Sequence, residues 1–146
     1  MSEKAYNEEY LRYTKNKIGN MLDYASYGLN EDVDRFMDKF IKSGIAEMFG
    51  EGHPKYILGT SGYELAAEVE YEMTGKTIDI NPVAADYKSP VYWAGWALAY
   101  YQWVSGLSFE EIQKAVPVSE IVSMYHPLHE AGLEKFADVM DGRINR

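Results

Sequence analysis

The sequence predicts an all-α fold, a single-domain bundle of about six or seven helices that occupies residues 1–146. Three observations lead to this prediction. Apolar residues recur at three-four spacing in several segments, capping signals and glycines bracket those segments, and no stretch alternates between apolar and polar residues as a half-buried strand does. Residues 89–105 are expected to form a central, aromatic-rich helix around which the others pack.

The first two helices are predicted from apolar spacing. Residues 4–27 place one apolar row on a single side, and Gly28 is expected to end this helix. Asn30 is a suitable N-cap for a second helix that extends to Gly44, and residues 45–49 are expected to add a further turn. The predicted buried residues are Leu11, Ile18, Leu22 and Ala25 in the first helix and Val33, Phe36, Met37, Phe40 and Ile41 in the second.

A capping box starts the third helix. Ser61 is followed three residues later by Glu64, and Gly75 ends the helix, whose apolar row consists of Leu65, Ala66, Val69 and Met73. The loop before it passes through His53 and Pro54, and residues 56–58 are too few to found a sheet. Residues 76–88 show no sustained period and are predicted to form the longest irregular connection.

The fourth helix is expected to begin with Ser89 as N-cap and Pro90 as its first residue, and to end before Gly106. None of its residues is charged and aromatic residues occupy every side, so it is buried in a protein core or in a membrane. Its Trp and Tyr residues are spread through the middle, which favours a soluble core, because interfacial aromatics gather at the two ends of a span. Small residues are expected to let neighbouring helices approach closely, namely Ala94, Gly95, Ala97 and Ala99.

Three shorter helices complete the predicted bundle. A second capping box, Ser108 with Glu111, starts a fifth helix that Pro117 ends. Residues 119–125 are predicted to form the sixth helix, and residues 133–140 the seventh, with a start as early as Pro127 left open.

Composition and charge exclude several functional classes. The chain has 14 Lys and Arg against 23 Asp and Glu, a net charge of -9, which is the wrong sign for binding a phosphate backbone. The absence of cysteine excludes disulfides, a thiolate nucleophile and cysteine-ligated metals, and it favours a cytoplasmic protein. The polar first residues lack the apolar core of a secretory signal. No cofactor is predicted.

Negative charge is concentrated in residues 61–110, which hold seven acids and two bases: Glu64, Glu68, Glu70, Glu72, Asp79, Asp86 and Glu110 against Lys76 and Lys88. Glu64, Glu68 and Glu72 repeat every four residues and form a stripe along the third helix. This stripe is either a solvated face that confers solubility or a docking surface for a protein partner with a basic surface. In the second interpretation, Tyr63 and Tyr71 are the candidate anchors of the interface.

Residues 108–125 have the outline of a helix-turn-helix, which is a candidate for DNA binding. Gln113 occupies a position where a small residue usually permits close crossing, and Pro117 replaces the usual turn glycine. The second helix offers Glu120 and apolar residues instead of the Arg or Lys that base edges and phosphates require. We therefore expect this segment to serve packing, with DNA binding as an alternative function.

His126, His129 and Glu130 form a possible polar site, because two imidazoles and a carboxylate lie within five residues. They suggest a metal-dependent or acid-base enzyme as an alternative function. Zinc, however, normally takes four protein ligands, or three and water, and His53 is the only further histidine. Pro127 is expected to hold His126 outside helical geometry, so that the same residues also fit a capped helix junction.

The segment Gly59-Thr60-Ser61-Gly62 precedes a helix start and could present backbone amides to a phosphate. No lysine follows within the turn as in a Walker motif, and Glu64 would bring negative charge towards the anion. Ordinary helix capping is the expected role of this segment.

Three tracts resemble a group of small uncharacterised bacterial proteins: residues 92–103, residues 105–112 and residues 125–130. The resemblance covers residues 56–142. Within this range the sequence is similar to members of the group that are found near toxin–antitoxin-type genes. It carries no activity and no catalytic residue. It implies an accessory or neutralising partner of another protein, and the lack of a basic reader element argues against a DNA-binding antitoxin.

We therefore expect a cytoplasmic, non-enzymatic domain that binds a basic protein partner. Its predicted binding residues are Glu64, Glu68, Glu72, Tyr63 and Tyr71. Membrane association is not expected and nucleic-acid binding is disfavoured, while homo-oligomerisation is left open.

Overall fold

A computed structural model of the chain describes residues 4–81 and 89–144. Residues 82–88 of the predicted connection 76–88, including Asp86 and Lys88, lie outside the described residues. Within the described ranges the chain is helical and has no strand, which confirms the all-α prediction. The α-helices are α1 (Leu11–Asp23), α2 (Val33–Lys42), α3 (Ile45–Gly50), α4 (Pro54–Ile57), α5 (Gly62–Thr74), α6 (Pro90–Ser105), α7 (Phe109–Ala115), α8 (Val118–Ser123), α9 (Tyr125–Leu128) and α10 (Leu133–Ile144).

Helix α6 is the central helix, as the sequence predicts, and α1 is the helix that lies closest against it. The predicted close approach at a small residue is confirmed at Gly95, where a Cβ atom would lie 2.7 Å from the carbonyl oxygen of Ile18. Around this crossing, most α6 side chains are buried. No helix in the described part of the chain is long and apolar enough to span a membrane.

Polar tips of the α6 aromatic residues find partners at the edge of the core. Such partners allow a large ring to be buried without leaving a donor unpaired. The bonds run from Tyr92 Oη to Asn16 Oδ1 (2.9 Å), from Tyr101 Oη to Asp141 Oδ1 (2.7 Å) and from Trp103 Nε1 to the Tyr6 carbonyl (2.9 Å). They join α6 to α1, to α10 and to the N-terminal segment.

The first helix is shorter than predicted. A 3-10 turn at Glu8–Tyr10 precedes α1, which begins at Leu11 rather than near residue 4. A π turn at Tyr24–Gly28 follows it, with the ring of Tyr24 lying against Gly28. A side chain at Gly28 would collide with this ring, because its Cβ would lie 2.4 Å from a ring carbon. The predicted buried residues of this helix are confirmed.

Asn30 was the wrong choice of N-cap for α2. The cap is Asp32, whose side chain accepts a hydrogen bond from the backbone of Arg35 at 3.0 Å. Asn30 instead has a φ of 58°, and it turns the chain between the π turn and α2. Both residue types suit caps and left-handed turns, so the sequence pattern did not separate their roles.

We expect Asp32→Ala to lower the free energy of unfolding by about 1 kcal/mol, because an orphan helix amide loses its acceptor. Asn30→Gly should change stability by less than about 0.5 kcal/mol, because glycine adopts a positive φ without strain. Urea unfolding of both variants measures the difference. A larger loss for Asn30→Gly than for Asp32→Ala would contradict the assignment of the cap.

Both predicted capping boxes are present, Ser61 with Glu64 in α5 and Ser108 with Glu111 in α7. The loop expected around His53 and Pro54 is instead the start of the short helix α4. The Nδ1 atom of His53 accepts the Lys55 backbone N–H at 3.2 Å and caps this helix. Proline fits its first turn because no intrahelical donor is needed there.

The C-terminal third differs from prediction in its helix boundaries. The predicted helix 119–125 divides at Met124 into α8 and α9, and α10 continues beyond Met140 to Ile144. Pro127 lies inside α9, so the expectation that it holds His126 outside helical geometry was wrong. A proline in the first turn removes no helical hydrogen bond, and α9 consists of little more than that turn.

Candidate functional site

The outward side of α5 carries the predicted acidic stripe, and the structure gives its three glutamates different surroundings. Glu64 and Glu72 are exposed, and Glu64 Oε1 also accepts the Ser61 backbone N–H at 3.1 Å. Glu68 is partly covered, because its Oε1 accepts bonds from Lys55 Nζ (2.9 Å) and Tyr56 Oη (3.0 Å). Lys55 therefore neutralises one of the three charges locally.

The two predicted tyrosine anchors also differ. Tyr71 is 56% exposed and lies one helical turn from Glu68, since residues three apart share a helix side. Tyr63 is half-buried, and its ring packs edge-on against Tyr24 with centroids 5.1 Å apart. Tyr71 is thus available at the surface, whereas Tyr63 also fixes α5 against the π turn. We call Glu64, Glu68, Glu72 and Tyr71 the acidic face.

The histidine cluster surrounds an aromatic ring. His129 stacks on Tyr125 with ring centroids 4.1 Å apart, and its Nδ1 lies 2.6 Å from the Tyr125 carbonyl oxygen. His126 meets the same ring edge-on, and the nearest oxygen of Glu130 is 3.9 Å from His129 Nε2. Among the described residues no three His, Asp or Glu side chains converge to hold a metal ion. Through the stacked rings and the contact of its Nδ1, His129 packs against Tyr125, the first residue of α9.

The helix-turn-helix segment is tied to α2 by a small hydrogen-bond network. Gln113 Oε1 accepts the Val118 backbone N–H at 3.0 Å, and Gln113 Nε2 donates to Asp34 Oδ1 at 3.1 Å. The same oxygen of Asp34 accepts the Ser119 N–H at the start of α8. The Asp34 carboxylate therefore lies at the start of α8, which is the helix end that a DNA phosphate would need to approach. Gln113 has a structural role, because it bonds both Asp34 and Val118.

The turn before α5 has an ordinary capping arrangement. Ser61 Oγ accepts the Glu64 backbone N–H at 3.1 Å, and Thr60 Oγ1 donates to the Lys55 carbonyl at 2.8 Å. The expected capping role of residues 59–62 is confirmed by these bonds.

A charged cluster that sequence reasoning missed joins α2 to α5. Lys39 Nζ lies 2.7 Å from Glu70 Oε1 and 2.8 Å from Oε2, and it also pairs closely with Glu31. All three side chains are less than one-fifth exposed. We call Glu31, Lys39 and Glu70 the charged cluster. Its sequence signal is the position of Glu70 within the apolar row of α5, four residues after the buried Ala66.

The charged cluster shifts the pKa values of its members in different directions. Burial, followed by a hydrogen bond shared with Glu70, raises the pKa of Glu31. Burial opposes ionisation of Glu70, but hydrogen bonds from Glu31 and Lys39 outweigh it and hold the pKa of Glu70 below its ordinary value. Burial likewise opposes the charge of Lys39, and its bonds to both carboxylates raise its pKa. These surroundings therefore favour the charged forms of Lys39 and Glu70 and disfavour the charged form of Glu31.

No protein-family model, curated protein or solved structure matches this chain. The resemblance drawn from residues 92–130 therefore stays a prediction.

Proposed function

We propose that the protein is a binding domain that docks a basic protein partner on the acidic face of α5. The observation that carries this proposal is the exposed Tyr71 beside two exposed carboxylates, Glu64 and Glu72, on one side of a three-turn helix. Tyrosine contributes interface area at a low entropic cost, and flanking carboxylates attract a basic surface. In the cell, the proposed binding domain would have an accessory or antitoxin-like role in the cytoplasm.

The surroundings of the acidic face indicate that its residues contribute to binding in different ways. Glu64 and Glu72 increase the association rate by electrostatic attraction, since exposed charges act mainly on encounter. Glu68 contributes less to attraction because Lys55 partly neutralises it, but its bond to Tyr56 keeps α4 beside α5. Tyr71 supplies the short-range contact that slows dissociation.

The test replaces the three glutamates by glutamine, as Glu64→Gln, Glu68→Gln and Glu72→Gln in one chain. Glutamine retains the capping acceptor at position 64, so folding is preserved while three charges are removed. We expect the association rate with a partner captured from the native cell to fall roughly fivefold at low salt, and its salt dependence to flatten. Stopped-flow or biosensor kinetics at several ionic strengths measure both effects.

The matched control removes three exposed charges elsewhere, through Glu8→Gln, Glu9→Gln and Glu134→Gln. It has the same net charge as the test variant and should bind like the wild type. Tyr71→Ala should raise the dissociation rate instead. Equal association rates for the test and control variants, or a captured partner without a basic surface, would contradict the proposal.

A further inference from the structure

Lys55, a residue of α4, covers the middle carboxylate of the acidic face. Its Nζ lies 2.9 Å from Glu68 Oε1 and 5.1 Å from the centre of the Tyr56 ring. The hydrogen bond to Glu68, followed by the attraction between the two charges, raises the pKa of Lys55, so its ammonium group stays charged at neutral pH. The chain itself therefore places one basic side chain on the surface that we propose binds a basic partner.

Glu68 is held in position by a second contact that does not involve Lys55. Tyr56 is only 3% exposed, and its Oη donates to the same Glu68 oxygen at 3.0 Å. A carboxylate that a buried hydroxyl orients keeps its direction when Lys55 moves away. Glu68 is therefore preorganised to accept another base in the place of Lys55.

The backbone of α4 is fixed, whereas the side chain of Lys55 is free to move. Lys17 Nζ donates to the carbonyl oxygens of Tyr56 (3.2 Å) and Ile57, and Thr60 Oγ1 donates to that of Lys55 (2.8 Å). The Lys55 side chain is 55% exposed, and ion pairs at such exposed positions are weak because water solvates both charges. The ammonium group can thus leave Glu68 while α4 stays folded.

We propose that Lys55 is an autoinhibitory side chain of the acidic face, which occupies Glu68 in the free protein and is displaced by a basic side chain of the partner. This inference rests on the proposed function, because it concerns the regulation of the same surface. The Lys55 charge also repels an approaching base. Acetylation of Lys55, which removes that charge and its ion pair, would therefore strengthen binding.

The test uses acetyl-heptalysine amide as a basic probe and follows the full chain, labelled with ¹³C and ¹⁵N, by NMR at low ionic strength. We expect saturable shifts of the backbone amides of the acidic face. The ¹³Cε signal of Lys55 should move towards that of an unpaired lysine, because its ammonium group leaves Glu68. Lys39, which lies in the charged cluster, is the internal reference and should keep its signal. A Lys55 signal that does not move at saturation would overturn the proposal.

Two variants with the same net charge test the role of position. Lys55→Met keeps the aliphatic stem and should bind the probe roughly threefold more tightly than the wild type. Lys42→Met removes an exposed charge from α2 and should tighten binding less than about 1.5-fold. When each is combined with Glu68→Gln, Lys55→Met should lose most of its advantage over Lys42→Met, because the carboxylate that Lys55 covers is absent.

The outcomes separate this inference from the proposed function. Equal affinities of Lys55→Met and Lys42→Met, or a difference that Glu68→Gln leaves intact, would overturn the autoinhibitory role and leave the acidic face as a binding surface. If the probe shifts no amide of α5 in the wild type or in Lys55→Met, the proposed function is wrong and the inference is wrong with it.

Discussion

Gly95→Ala is expected to lower the free energy of unfolding by about 2 kcal/mol, although alanine is the better helix former. The added Cβ would lie 2.7 Å from the Ile18 carbonyl oxygen and 2.9 Å from the Gly19 Cα, and both are backbone atoms of α1 that no rotamer change can move. Either α1 and α6 separate along their crossing or both backbones bend. Urea unfolding followed by circular dichroism measures the loss.

Gly142→Ala is the matched control. This glycine lies in α10, is exposed, and has no atom within 4 Å of the position of a Cβ. Alanine there should raise stability by about 0.5 kcal/mol, because only the backbone entropy of the unfolded chain changes. If both substitutions shifted stability in the same direction, the close crossing of α1 and α6 would not be the reason for the glycine at position 95.

The parts of the fold that could be predicted from sequence are those with local causes. The α6 segment follows from its lack of charge, and α5 and α7 begin where a serine and a glutamate three residues later satisfy each other's backbone. The boundaries that failed depend on distant contacts or on a choice between similar residues. Asn30 and Asp32 both suit a cap, and their residue types alone do not decide that Asp32 caps α2 while Asn30 takes a positive φ.

In the candidate sites, too, features with local causes could be predicted and features that depend on distant contacts could not. The exposure of Glu64 and Glu72 agrees with the period of α5, because both residues lie away from its apolar row. The partner of Glu68 could not be predicted from helical spacing, because Lys55 belongs to α4 and the turn between α4 and α5 brings it beside Glu68. The charged cluster likewise joins residues from the chain before α2, from α2 itself and from α5. The spacing of residues along one helix does not predict contacts with side chains of other segments.

Lys39→Met is expected to lower the free energy of unfolding by about 3 kcal/mol at pH 7. It removes the only cation that contacts Glu31 and Glu70 in the described structure, and leaves two carboxyl groups together in a largely covered site. Lys42→Met is the matched control, because Lys42 is exposed on the same helix and should change stability by less than about 0.5 kcal/mol.

The pH dependence of this loss distinguishes charge from packing. The pKa of Glu70 is lowered in the folded chain, so its contribution to stability is present above the ordinary pKa of glutamate and is lost as the pH falls through the folded value. Without Lys39 this contribution disappears, so the difference between wild type and variant should shrink as the pH falls below the ordinary pKa of glutamate, about 4.3. Adding Glu70→Gln to Lys39→Met should recover part of the loss at pH 7, because one buried negative charge is then removed. A loss that is constant with pH, and that the second substitution does not reduce, would mean that Lys39 acts through its aliphatic stem rather than through its charge.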